Sequence, residues 1–468
     1  MSARGRSIAL DAALATAVAS LAFAVFARRL GTATNYDEQV YLASLDALRH
    51  GQALGSQVFA SQPPGFYLLL RLLGGATGRS IDGLRAAIAA VVALGCVGAY
   101  ALARQLAGRA AGVVSAVLLA VAPPYPTNAA VVAADAPSVA LSLVALALTV
   151  WGFRSSRALA SAAGGALAVA ALSVKLLAFP ALVPLAALAL ALAPVRRALA
   201  GWVAGAAVGA AAILLPFAGS LGTIFSQAVE FHRRARHIAG PQSFSASLDL
   251  THFFDFHTPL AGLALAGAAG FVASWRRLPN ETLWPLWTWI PASAAFIAVQ
   301  KPLLEHHSVL LAAAIAVPAG ASLGAALGRL PKGAAFVGAA AVAVFLAAAV
   351  FQEHRRLAEN DDPEPAEVKT AAHVVHRLTR RDDLVGTDLP IVAYLADRRV
   401  PGDLVDASVV RVLTRSLTRG RVLAIAAQPR VRAFVLGRYL RTDPEVVAGL
   451  GRLYRARRMV GGITIYSR

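Results

Sequence analysis

The sequence has few cysteines, few methionines and few charged residues for its length of 468 residues. Its one cysteine, Cys96, excludes a fold held together by disulfide bonds. Charged residues make up 15% of the chain, whereas a typical soluble domain carries about 25%. No glycine-rich loop of the kind that holds a nucleotide is present. Together these shortages exclude a soluble cytosolic enzyme, a disulfide scaffold and a disordered protein.

The charged residues that are present are distributed unevenly. Residues 352–468 hold 35 of the 69 Asp, Glu, Lys and Arg residues, and residues 1–351 hold the other 34. The net charge of +19 is only a weak indication of nucleic-acid binding, because the arginines stand in pairs between apolar runs. The sequence therefore predicts a polytopic α-helical membrane domain over residues 1–351, a soluble domain over residues 352–468, and no nucleic-acid partner.

Eleven apolar runs in the first domain approach the length of about 20 residues that a membrane-spanning helix needs. They lie at roughly residues 8–27, 84–103, 110–127, 134–153, 158–174, 176–194, 198–217, 259–274, 282–299, 305–327 and 333–351. A further apolar piece, residues 65–75, is short and contains Arg71. This piece is either another span or a helix that lies on the membrane surface.

The basic residues distinguish these two interpretations, because short cytoplasmic loops are rich in Lys and Arg. Five short connections carry basic pairs: Arg104 with Arg109, Arg154 with Arg157, Arg196 with Arg197, Arg276 with Arg277, and Arg329 with Lys332. All five pairs fall on the same side of the membrane as Arg4 and Arg6 only if residues 65–75 lie on the membrane surface. We therefore predict eleven spans, an N-terminus inside the cell and a juxtamembrane helix at residues 65–75. The pair Arg28 and Arg29 is the exception to this pattern.

This topology places the acidic residues of the membrane domain mainly on the outer side. Nine of its eleven Asp and Glu residues fall at or beyond the outer surface, and the exceptions are Asp11 and Glu281. The two long connections, residues 28–83 and 218–258, and the C-terminal domain also lie outside. Carboxylates at a membrane surface are costly unless they are solvated or used, so we expect any chemistry on the outer face.

Two groups of carboxylates stand at the starts of outer helices. Residues 35–41, with the sequence NYDEQVY, contain Asp37 and Glu38, and Asp135 begins the fourth run. Each group also has a structural interpretation: Asp37 and Glu38 would favour the first turn of a helix, and Asp135 would cap a helix that has Pro137 in its first turn. Brought into one site, the carboxylates would suit general-base chemistry on a hydroxyl group.

Basic side chains occur at outer positions where the distribution of charge does not predict them. They are Lys175, Arg233, Arg234, Arg236, Lys301, His306 and His307. Snorkelling to lipid phosphates explains any one of them, but as a group they are candidates to bind a phosphate or diphosphate. His306 and His307 diverge by about 100° on a helix, so their spacing does not indicate a metal site. No cofactor is required by the sequence, and a divalent metal is possible without being indicated.

A third motif in the first outer loop, residues 62–68 with the sequence QPPGFYL, opens the juxtamembrane helix. Pro63 and Pro64 fix an extended entry to the helix, and Phe66 and Tyr67 suit the membrane interface. The structural interpretation is that these residues only mark the start of a helix.

The order of these parts resembles the GT-C glycosyltransferases. More narrowly, it is similar to the family 39-like group that contains the protein O-mannosyltransferases and the lipid A aminoarabinose transferase. The resemblance extends over about residues 8–350, and its specific pieces are residues 35–41, 62–68 and 123–138. It implies a GT-C fold, a polyprenyl-phosphate sugar as donor, and inverting transfer on the non-cytoplasmic face.

The resemblance also implies roles for particular residues. Asp37 matches the first-loop aspartate proposed as base or acceptor-orienting group, Glu38 matches its neighbour, and Asp135 matches the second essential carboxylate. The residues of the first loop that would line the donor and acceptor sites are Tyr36, Tyr41, Gln62, Pro63, Pro64 and Tyr67. The aminoarabinose transferase has Arg at the position of Val40 and Glu-Lys at the positions of Ser61 and Gln62. The charge that binds the donor phosphate would then come from the outer basic side chains.

The C-terminal domain is predicted to be a small α/β domain with its own core. We predict helices at residues 363–380, 391–398, 409–428 and 443–454, strands at 384–388 and 431–437, and a hairpin formed by 455–460 and 463–466. Its lack of cysteine is typical of exported bacterial proteins without disulfides. We assign this domain, as a hypothesis, to recognition of the acceptor or of a partner.

The sequence therefore predicts a membrane enzyme of the bacterial cytoplasmic membrane. The predicted activity is inverting transfer of a hexosyl or pentosyl group from a polyprenyl-phosphate donor to a hydroxyl or amine of a lipid, glycan or protein. Two alternatives stay open: a transporter or flippase of lipid-linked sugars, and a non-catalytic subunit of cell-envelope assembly. A transporter would tend to show internal repeats and charged residues at mid-membrane, and neither is evident in the sequence.

Overall fold

The computed structural model describes residues 3–237, 258–274, 283–300, 303–327, 339–340, 342–348, 351 and 362–468. The chain divides into two compact units. The first unit consists of Met1–Leu30, Asp82–Pro216 and Ser247–Glu359, and the second consists of Gly31–Ile81, Phe217–Ala246 and Asn360–Arg468. The domain boundary after residue 351 stays a prediction, because residues 352–361 lie outside the described residues.

The first unit is built from α-helices joined by short turns. Its described helices are α1 (Ala3–Phe26), α4 (Ile81–Ala107), α5 (Arg109–Val121), α6 (Pro124–Ala129), α7 (Asp135–Ser155), α8 (Ala158–Val174), α9 (Leu182–Leu192), α10 (Arg196–Leu214), α13 (Thr258–Ser274), α14 (Trp284–Trp287), α15 (Trp289–Val299) and α16 (Val309–Leu327). Short 3₁₀ turns at Ala27–Arg29, Leu176–Ala181 and Glu305–Ser308 extend three of them.

Ten of the eleven predicted apolar runs are helical. Of residues 333–351 the structure describes 339–340, 342–348 and 351, and these are helical. Five described helical segments are apolar and long enough to cross a membrane: Gly5–Arg29, Ile81–Ala107, Asp135–Ser155, Arg196–Ala235 and Glu305–Leu327. The prediction of a multi-helix membrane domain is therefore confirmed, while the number of eleven spans stays a prediction.

Small residues allow the helices of the first unit to approach closely, as is usual in membrane bundles. A methyl group added at Gly95 of α4 would lie 2.8 Å from the Cα atom of Ala140 in α7. One added at Gly98 would lie 2.8 Å from the backbone nitrogen of Val144. Since the contacts advance along both helices together, α4 and α7 run parallel. The start of α7 and the end of α4 therefore lie at opposite ends of the unit, and 21 residues of α7 span roughly 31 Å.

The second unit combines the first loop, a short helical stretch and the C-terminal domain. Its described helices are α2 (Tyr36–Arg49), α3 (Pro64–Thr77), α11 (Leu221–Phe225), α12 (Phe231–Ala235), α17 (Ala366–Leu378), α18 (Pro390–Leu395), α19 (Val409–Leu413), α20 (Arg419–Ala427) and α21 (Pro444–Leu453). The helix predicted at residues 65–75 is α3, and its position at the membrane surface stays a prediction.

A four-stranded sheet forms the centre of the C-terminal domain. Its strands are β1 (Leu384–Thr387), β2 (Val431–Leu436), β3 (Ala456–Val460) and β4 (Ile463–Ser467), in the order β1-β2-β4-β3. The β1–β2 pair is parallel, and the two other pairs are antiparallel. The predicted small α/β domain is confirmed, including the hairpin that turns at Gly461.

Two segments differ from the sequence-based prediction. The single helix predicted over residues 409–428 is two helices, α19 and α20, because Arg415 adopts a left-handed conformation (φ 58°) and Thr418 caps the second helix. The connection predicted from residue 218 is helical as far as Ala235, through α11, a π-helical turn and α12. Its apolar residues Ile224, Ala228 and Phe231 are buried, which explains why this stretch folds.

Candidate functional site

Asp135 is the first residue of α7 and is buried, with 3% of its surface exposed. Its Oδ1 accepts a hydrogen bond from the Lys175 ammonium at 2.7 Å. Lys175 directly follows the last residue of α8, where the chain becomes extended, so its side chain reaches the start of α7. A buried carboxylate needs such a partner, because the cost of desolvating an unpaired charge is several kcal/mol.

His306 and His307 complete this group, which we call the Asp135 cluster (Asp135, Lys175, His306 and His307). They lie in the 3₁₀ turn Glu305–Ser308 that leads into α16, and their rings meet edge to face with centroids 4.6 Å apart. Ligand atoms of Asp135, His306 and His307 lie within 4.8 Å of one another. Adjacent residues of a 3₁₀ turn diverge by about 120°, yet the two rings lie side by side, so their spacing in the sequence did not exclude a shared ligand.

The hydrogen bonds of the Asp135 cluster favour an anion over a metal ion as its ligand. The backbone N–H of Leu304 donates to Nδ1 of His307 at 3.3 Å, so the neutral ring carries its proton on Nε2 and donates from it. The ammonium of Lys175 hydrogen-bonds to Oδ1 of Asp135, and a cation already beside the carboxylate opposes the binding of a second, metal cation. Three basic side chains around one carboxylate fit the oxygens of a phosphate group.

A second, half-buried carboxylate, Asp11, lies at the other end of the first unit. The Nε atoms of Arg104 and Arg109 each donate to its Oδ1 at 2.7 Å, and the Tyr100 hydroxyl donates to the same oxygen at 3.1 Å. We call this group the Asp11 cluster (Asp11, Tyr100, Arg104 and Arg109). Asp11 and the basic pair Arg104 and Arg109, predicted to share the inner side, therefore lie at the same end.

Arg29 belongs to the pair that departs from the predicted charge distribution. Its guanidinium donates to the backbone carbonyl of Thr127 at 2.8 Å. Thr127 lies in α6, whose final carbonyls have no partners within the helix. Hydrogen bonding to the end of a helix therefore accounts for the position of Arg29.

In the second unit, the two adjacent carboxylates of the first loop have different surroundings. Asn35 caps α2: its side chain accepts from the N–H of Glu38 at 2.9 Å, and the Glu38 carboxylate accepts from the N–H of Asn35 at 3.3 Å. Glu38 is 1% exposed, so its geometry matches the structural interpretation of a capping box. Asp37 is exposed at the second position of the helix. Of the two, Asp37 is thus the carboxylate that a substrate can reach.

The aromatic and amide residues predicted to line the loop are mainly interior. Gln62 donates to the Tyr41 hydroxyl at 3.0 Å, and the Tyr67 and Ser61 hydroxyls lie 3.4 Å apart. Burial raises the pKa of the Tyr67 hydroxyl to about 12. Pro64 opens α3, with Pro63 directly before it, as the structural interpretation predicted. These contacts give the loop a packed interior.

The other candidate cations are placed less specifically. Arg233, Arg234 and Arg236 are exposed at the end of α12. Lys301 lies outside the described residues. Among the cations predicted to bind phosphate, Lys175, His306 and His307 are the ones that lie together beside a carboxylate.

Sequence reasoning missed the residues that surround Tyr36. The Tyr36 hydroxyl donates to Oδ1 of Asp406 at 3.4 Å, and the Arg438 guanidinium lies over its ring at 4.6 Å from the centroid. Burial raises the pKa of this hydroxyl well above its usual value, and the carboxylates of Asp406 and Asp388 raise it further. About 370 residues separate Tyr36 from Asp406, so no local pattern could have indicated the contact.

Comparison with known families gives a match over the part of the chain that contains Asp135 and Lys175. Residues 61–221 match the family model of the dolichyl-phosphate-mannose–protein mannosyltransferases. The matched region is about one third of the chain. No curated protein sequence matches the chain.

Solved structures resemble the whole chain. The crystal structure of ArnT from Cupriavidus metallidurans bound to undecaprenyl phosphate has a TM-score of 0.67 at 14% identity, over 100% of this chain and 98% of ArnT. The archaeal oligosaccharyltransferase AglB from Archaeoglobus fulgidus, in complex with an inhibitory peptide and a dolichol-phosphate, has a TM-score of 0.56 at 11% identity, over 92% of this chain and 70% of AglB. The arabinofuranosyltransferase AftD from mycobacteria has a TM-score of 0.57 at 16% identity, over 97% of this chain and 39% of AftD.

These matches confirm the predicted resemblance to the GT-C glycosyltransferases, and the chain has the GT-C fold that the resemblance implied. At identities of 11–16%, the likeness of the solved structures concerns the fold.

Proposed function

We propose that the protein is an integral-membrane glycosyltransferase that transfers a sugar from a polyprenyl-phosphate donor to an acceptor. The observation that carries this proposal is the Asp135 cluster, a buried carboxylate bonded to Lys175 at 2.7 Å with two histidines beside it. The cluster lies in a GT-C fold, and the ArnT structure that shares this fold holds undecaprenyl phosphate. A mannosyltransferase family model also matches the segment that contains Asp135 and Lys175.

The proposed reaction breaks the bond between the anomeric carbon and the phosphate oxygen of the donor. The phosphate leaves with the bonding electrons, so its additional negative charge must be met by cations. Lys175 and the Nε2–H group of His307 supply this charge and hydrogen bonding. Asp135 holds the ammonium of Lys175 in position through the hydrogen bond to its Oδ1.

The acceptor hydroxyl or amine attacks the anomeric carbon and loses a proton as the new bond forms. We assign the role of base to Asp37, because it is the exposed member of the first-loop pair, whereas Glu38 caps the helix. One displacement at the anomeric carbon inverts its configuration. Hexosyl and pentosyl donors both fit this chemistry, and so do lipid, glycan and protein acceptors.

The proposed location is the cytoplasmic membrane of a bacterium, with the N-terminus inside and the Asp135 cluster at the outer surface. The basic residues Arg104 and Arg109 at the end that holds Asp11 support this orientation, because short cytoplasmic loops are rich in Lys and Arg. The C-terminal domain would then lie outside the cell membrane. That Asp37 and Asp135 act in one site stays a prediction.

Mass spectrometry of cell-envelope glycans, glycolipids and glycoproteins tests the proposed function. A strain without the protein should lack one glycosylated product, and the parent protein should restore it. The variant Asp37→Asn should fail to restore the product while it still binds undecaprenyl phosphate. Asp382→Asn, which changes an exposed carboxylate of the C-terminal domain, is the matched control and should restore the product fully.

Three results would contradict the proposal. Unchanged envelope glycans in the strain without the protein would exclude the proposed transfer in that cell. Restoration of the product by Asp37→Asn would favour a non-catalytic assembly subunit. Movement of lipid-linked sugar across vesicle membranes by a parent protein that transfers no sugar would instead identify a transporter.

A further inference from the structure

The second unit joins three stretches that are distant in the sequence: the first loop (Gly31–Ile81), the helical stretch Phe217–Ala235, and the C-terminal domain. The first loop carries Asp37, and the helical stretch carries the exposed arginines of α12. The C-terminal domain shows no catalytic pattern of its own in its sequence. Its contacts with the other two stretches indicate what it contributes.

The first contact holds Tyr36, the residue next to Asp37. The Arg438 guanidinium covers the Tyr36 ring, and the Asp406 carboxylate accepts its hydroxyl proton in a hydrogen bond of 3.4 Å. A guanidinium over the face of a tyrosine ring is attracted to the ring electrostatically, and the attraction is stronger where both groups are desolvated. Tyr36 is the first residue of α2, so these contacts fix the start of the helix that displays Asp37.

The groups that hold Tyr36 are themselves fixed within the C-terminal domain. The buried Asp388 carboxylate accepts the backbone N–H groups of Gly437 at 2.8 Å, Arg438 at 3.1 Å and Leu440 at 2.8 Å. This places Arg438 at the end of strand β2. Asp406 accepts the N–H of Ser408 at 2.9 Å through the same Oδ1 that meets Tyr36.

The second contact holds Phe59, later in the first loop. The guanidinium of Arg411 lies 3.8 Å from the centroid of the Phe59 ring, and the Arg411 side chain is 2% exposed. Arg411 donates to the carbonyls of Asp403 and Asp406 at 2.6 Å. Phe59 in turn meets Phe231 of α12 edge to face, with ring centroids 5.5 Å apart. One buried arginine thus connects the C-terminal domain to both other stretches.

Further contacts hold the two ends of the first loop. At its start, the backbone N–H and the hydroxyl of Thr34 donate to the Glu364 carboxylate at 2.9 and 3.0 Å. Near its end, the Tyr394 hydroxyl donates to the carbonyl of Arg79 at 2.9 Å, and the Arg79 guanidinium lies over the Tyr394 ring. The loop is therefore held at its start, in its middle and at its end.

We propose that the C-terminal domain positions the first loop for catalysis, with Arg438, Asp406 and Arg411 as positioning residues. This inference rests on the proposed function, because it takes Asp37 as the base. Tyr36 and Asp37 have adjacent Cα atoms about 3.8 Å apart, so a shift of Tyr36 shifts Asp37. A displacement of about 1 Å at a catalytic group can lower a rate by about 10²-fold.

Steady-state kinetics of the full-length protein in lipid test this role with paired variants. Arg438→Gln and Tyr36→Ala should lower kcat by about 10- to 100-fold with little change in KM for the donor, because Asp37 is displaced while the Asp135 cluster is intact. Arg438→Lys keeps a cation over the ring, and Tyr36→Phe keeps the ring under the cation. Arg438→Lys should therefore retain kcat within about threefold. Tyr36→Phe loses the hydrogen bond to Asp406 and should lower kcat, but less than Tyr36→Ala does.

A control and a second measurement separate positioning from general destabilisation. Arg452→Gln changes an exposed arginine of the same domain and should leave kcat unchanged. Hydrogen–deuterium exchange of Arg438→Gln should increase in peptides that cover residues 31–49 and stay unchanged in peptides from the sheet. This readout does not depend on activity, so it also tests a variant with low yield.

Several outcomes would overturn the inference. It fails if Arg438→Gln and Tyr36→Ala keep the parental kcat, or if exchange rises equally throughout the C-terminal domain. In either case the proposed function stands, provided that the parent protein transfers sugar and the Asp37→Asn variant does not. Retention of transfer by Asp37→Asn would instead contradict the proposed function and this inference together.

Discussion

Asp11 and Asp135 are two carboxylates at opposite ends of the first unit, and they are neutralised in different ways. Both oxygens of Asp11 accept hydrogen bonds from two guanidinium groups, and a tyrosine hydroxyl adds another. Among the described residues, the side chain of Asp135 accepts a hydrogen bond from Lys175, and the two histidines lie beside it. The first arrangement satisfies both carboxylate oxygens with guanidinium groups, whereas the second pairs its carboxylate with one ammonium and has two imidazole rings beside it.

The positions of the two carboxylates in their helices explain part of this difference. Asp11 lies two turns into α1, where the helix dipole gives no stabilisation, so the side chains around it supply all of the compensating charge. Asp135 is the first residue of α7, where the N-terminal end of the dipole stabilises a negative charge. The hydrogen bond from Lys175 and the helix dipole therefore both stabilise the charge of Asp135. We therefore expect a structural role for the Asp11 cluster and, under the proposed function, a chemical role for the Asp135 cluster.

The largest expected effect is that of Asp135→Asn on sugar transfer. Asparagine keeps the shape of the side chain but removes the charge that holds the Lys175 ammonium in position. We expect the transfer rate to fall by about 10²- to 10³-fold, as is typical when one stabilising group at a developing charge is lost. A single-turnover assay with labelled donor measures this effect. A rate close to that of the parent would show that this cluster has no chemical role.

The next effect concerns donor binding through His307. His307→Leu removes the Nε2–H donor, and a hydrogen bond to a charged group contributes about 1.5–3 kcal/mol. We therefore expect KM for the donor to rise by about tenfold or more. His373→Leu, at an exposed position on helix α17, is the matched control and should leave KM unchanged. Equal KM values for the two variants would show that His307 does not bind the donor.

A smaller effect is expected at the other end of the unit. Asp11→Asn weakens the hydrogen bonds of Arg104 and Arg109, and polar contacts between helices in a membrane are worth about 1 kcal/mol. Thermal unfolding in lipid should occur at a slightly lower temperature, while the transfer rate per folded molecule stays parental. Loss of transfer without loss of stability would reverse the roles assigned to the two clusters.

The smallest effect concerns Asp403, a carboxylate in the C-terminal domain. Like Asp11, it accepts hydrogen bonds from two arginines, Arg411 and Arg421. Burial opposes ionisation of Asp403, but the hydrogen bonds from Arg421 and Arg411 outweigh it and lower the pKa of the carboxyl below its usual value. The ionised Asp403 carboxylate therefore stabilises the folded protein at neutral pH. This contribution is lost as the pH falls from about 4 through the lowered pKa.

Arg421→Gln tests the pairing of Asp403 with its two arginines. The Arg421 side chain is largely exposed, so the loss of stability at pH 7 should be under about 1 kcal/mol. Unfolding curves of the parent and the variant should then converge as the pH falls through the lowered pKa of Asp403. A difference that grows in acid would contradict the sign of the pKa shift. Lys369→Gln, at an exposed position on α17, serves as the control.

Local patterns in the sequence predicted most of the fold. The apolar runs indicated the helices of the first unit, and alternating apolar residues indicated the strands of the C-terminal sheet. Asn35 followed by Glu38 three positions later is a local capping signal, and the structure has the corresponding capping box. The break between α19 and α20 was missed, because the turn depends on the buried contacts of Arg411 with the carbonyls of Asp403, Asp406 and Ser416.

The candidate site could be predicted only as separate residues. The charge distribution singled out Lys175, His306 and His307, but not their convergence on Asp135, because 40 residues separate Lys175 from Asp135 along the chain. The contact between Tyr36 and Asp406 joins residues that are about 370 positions apart. Pairings of this kind arise from tertiary packing and have no period along the sequence.

Binding of undecaprenyl phosphate to the purified protein in lipid tests the central claim most directly, namely that the Asp135 cluster holds a phosphate group. The comparison uses the parent, Lys175→Gln at the Asp135 cluster and Arg109→Gln at the Asp11 cluster, with each folded fraction measured. We predict that Lys175→Gln weakens binding by at least about tenfold and that Arg109→Gln binds like the parent. Parental binding by Lys175→Gln, or an equal loss in both variants, would contradict the account.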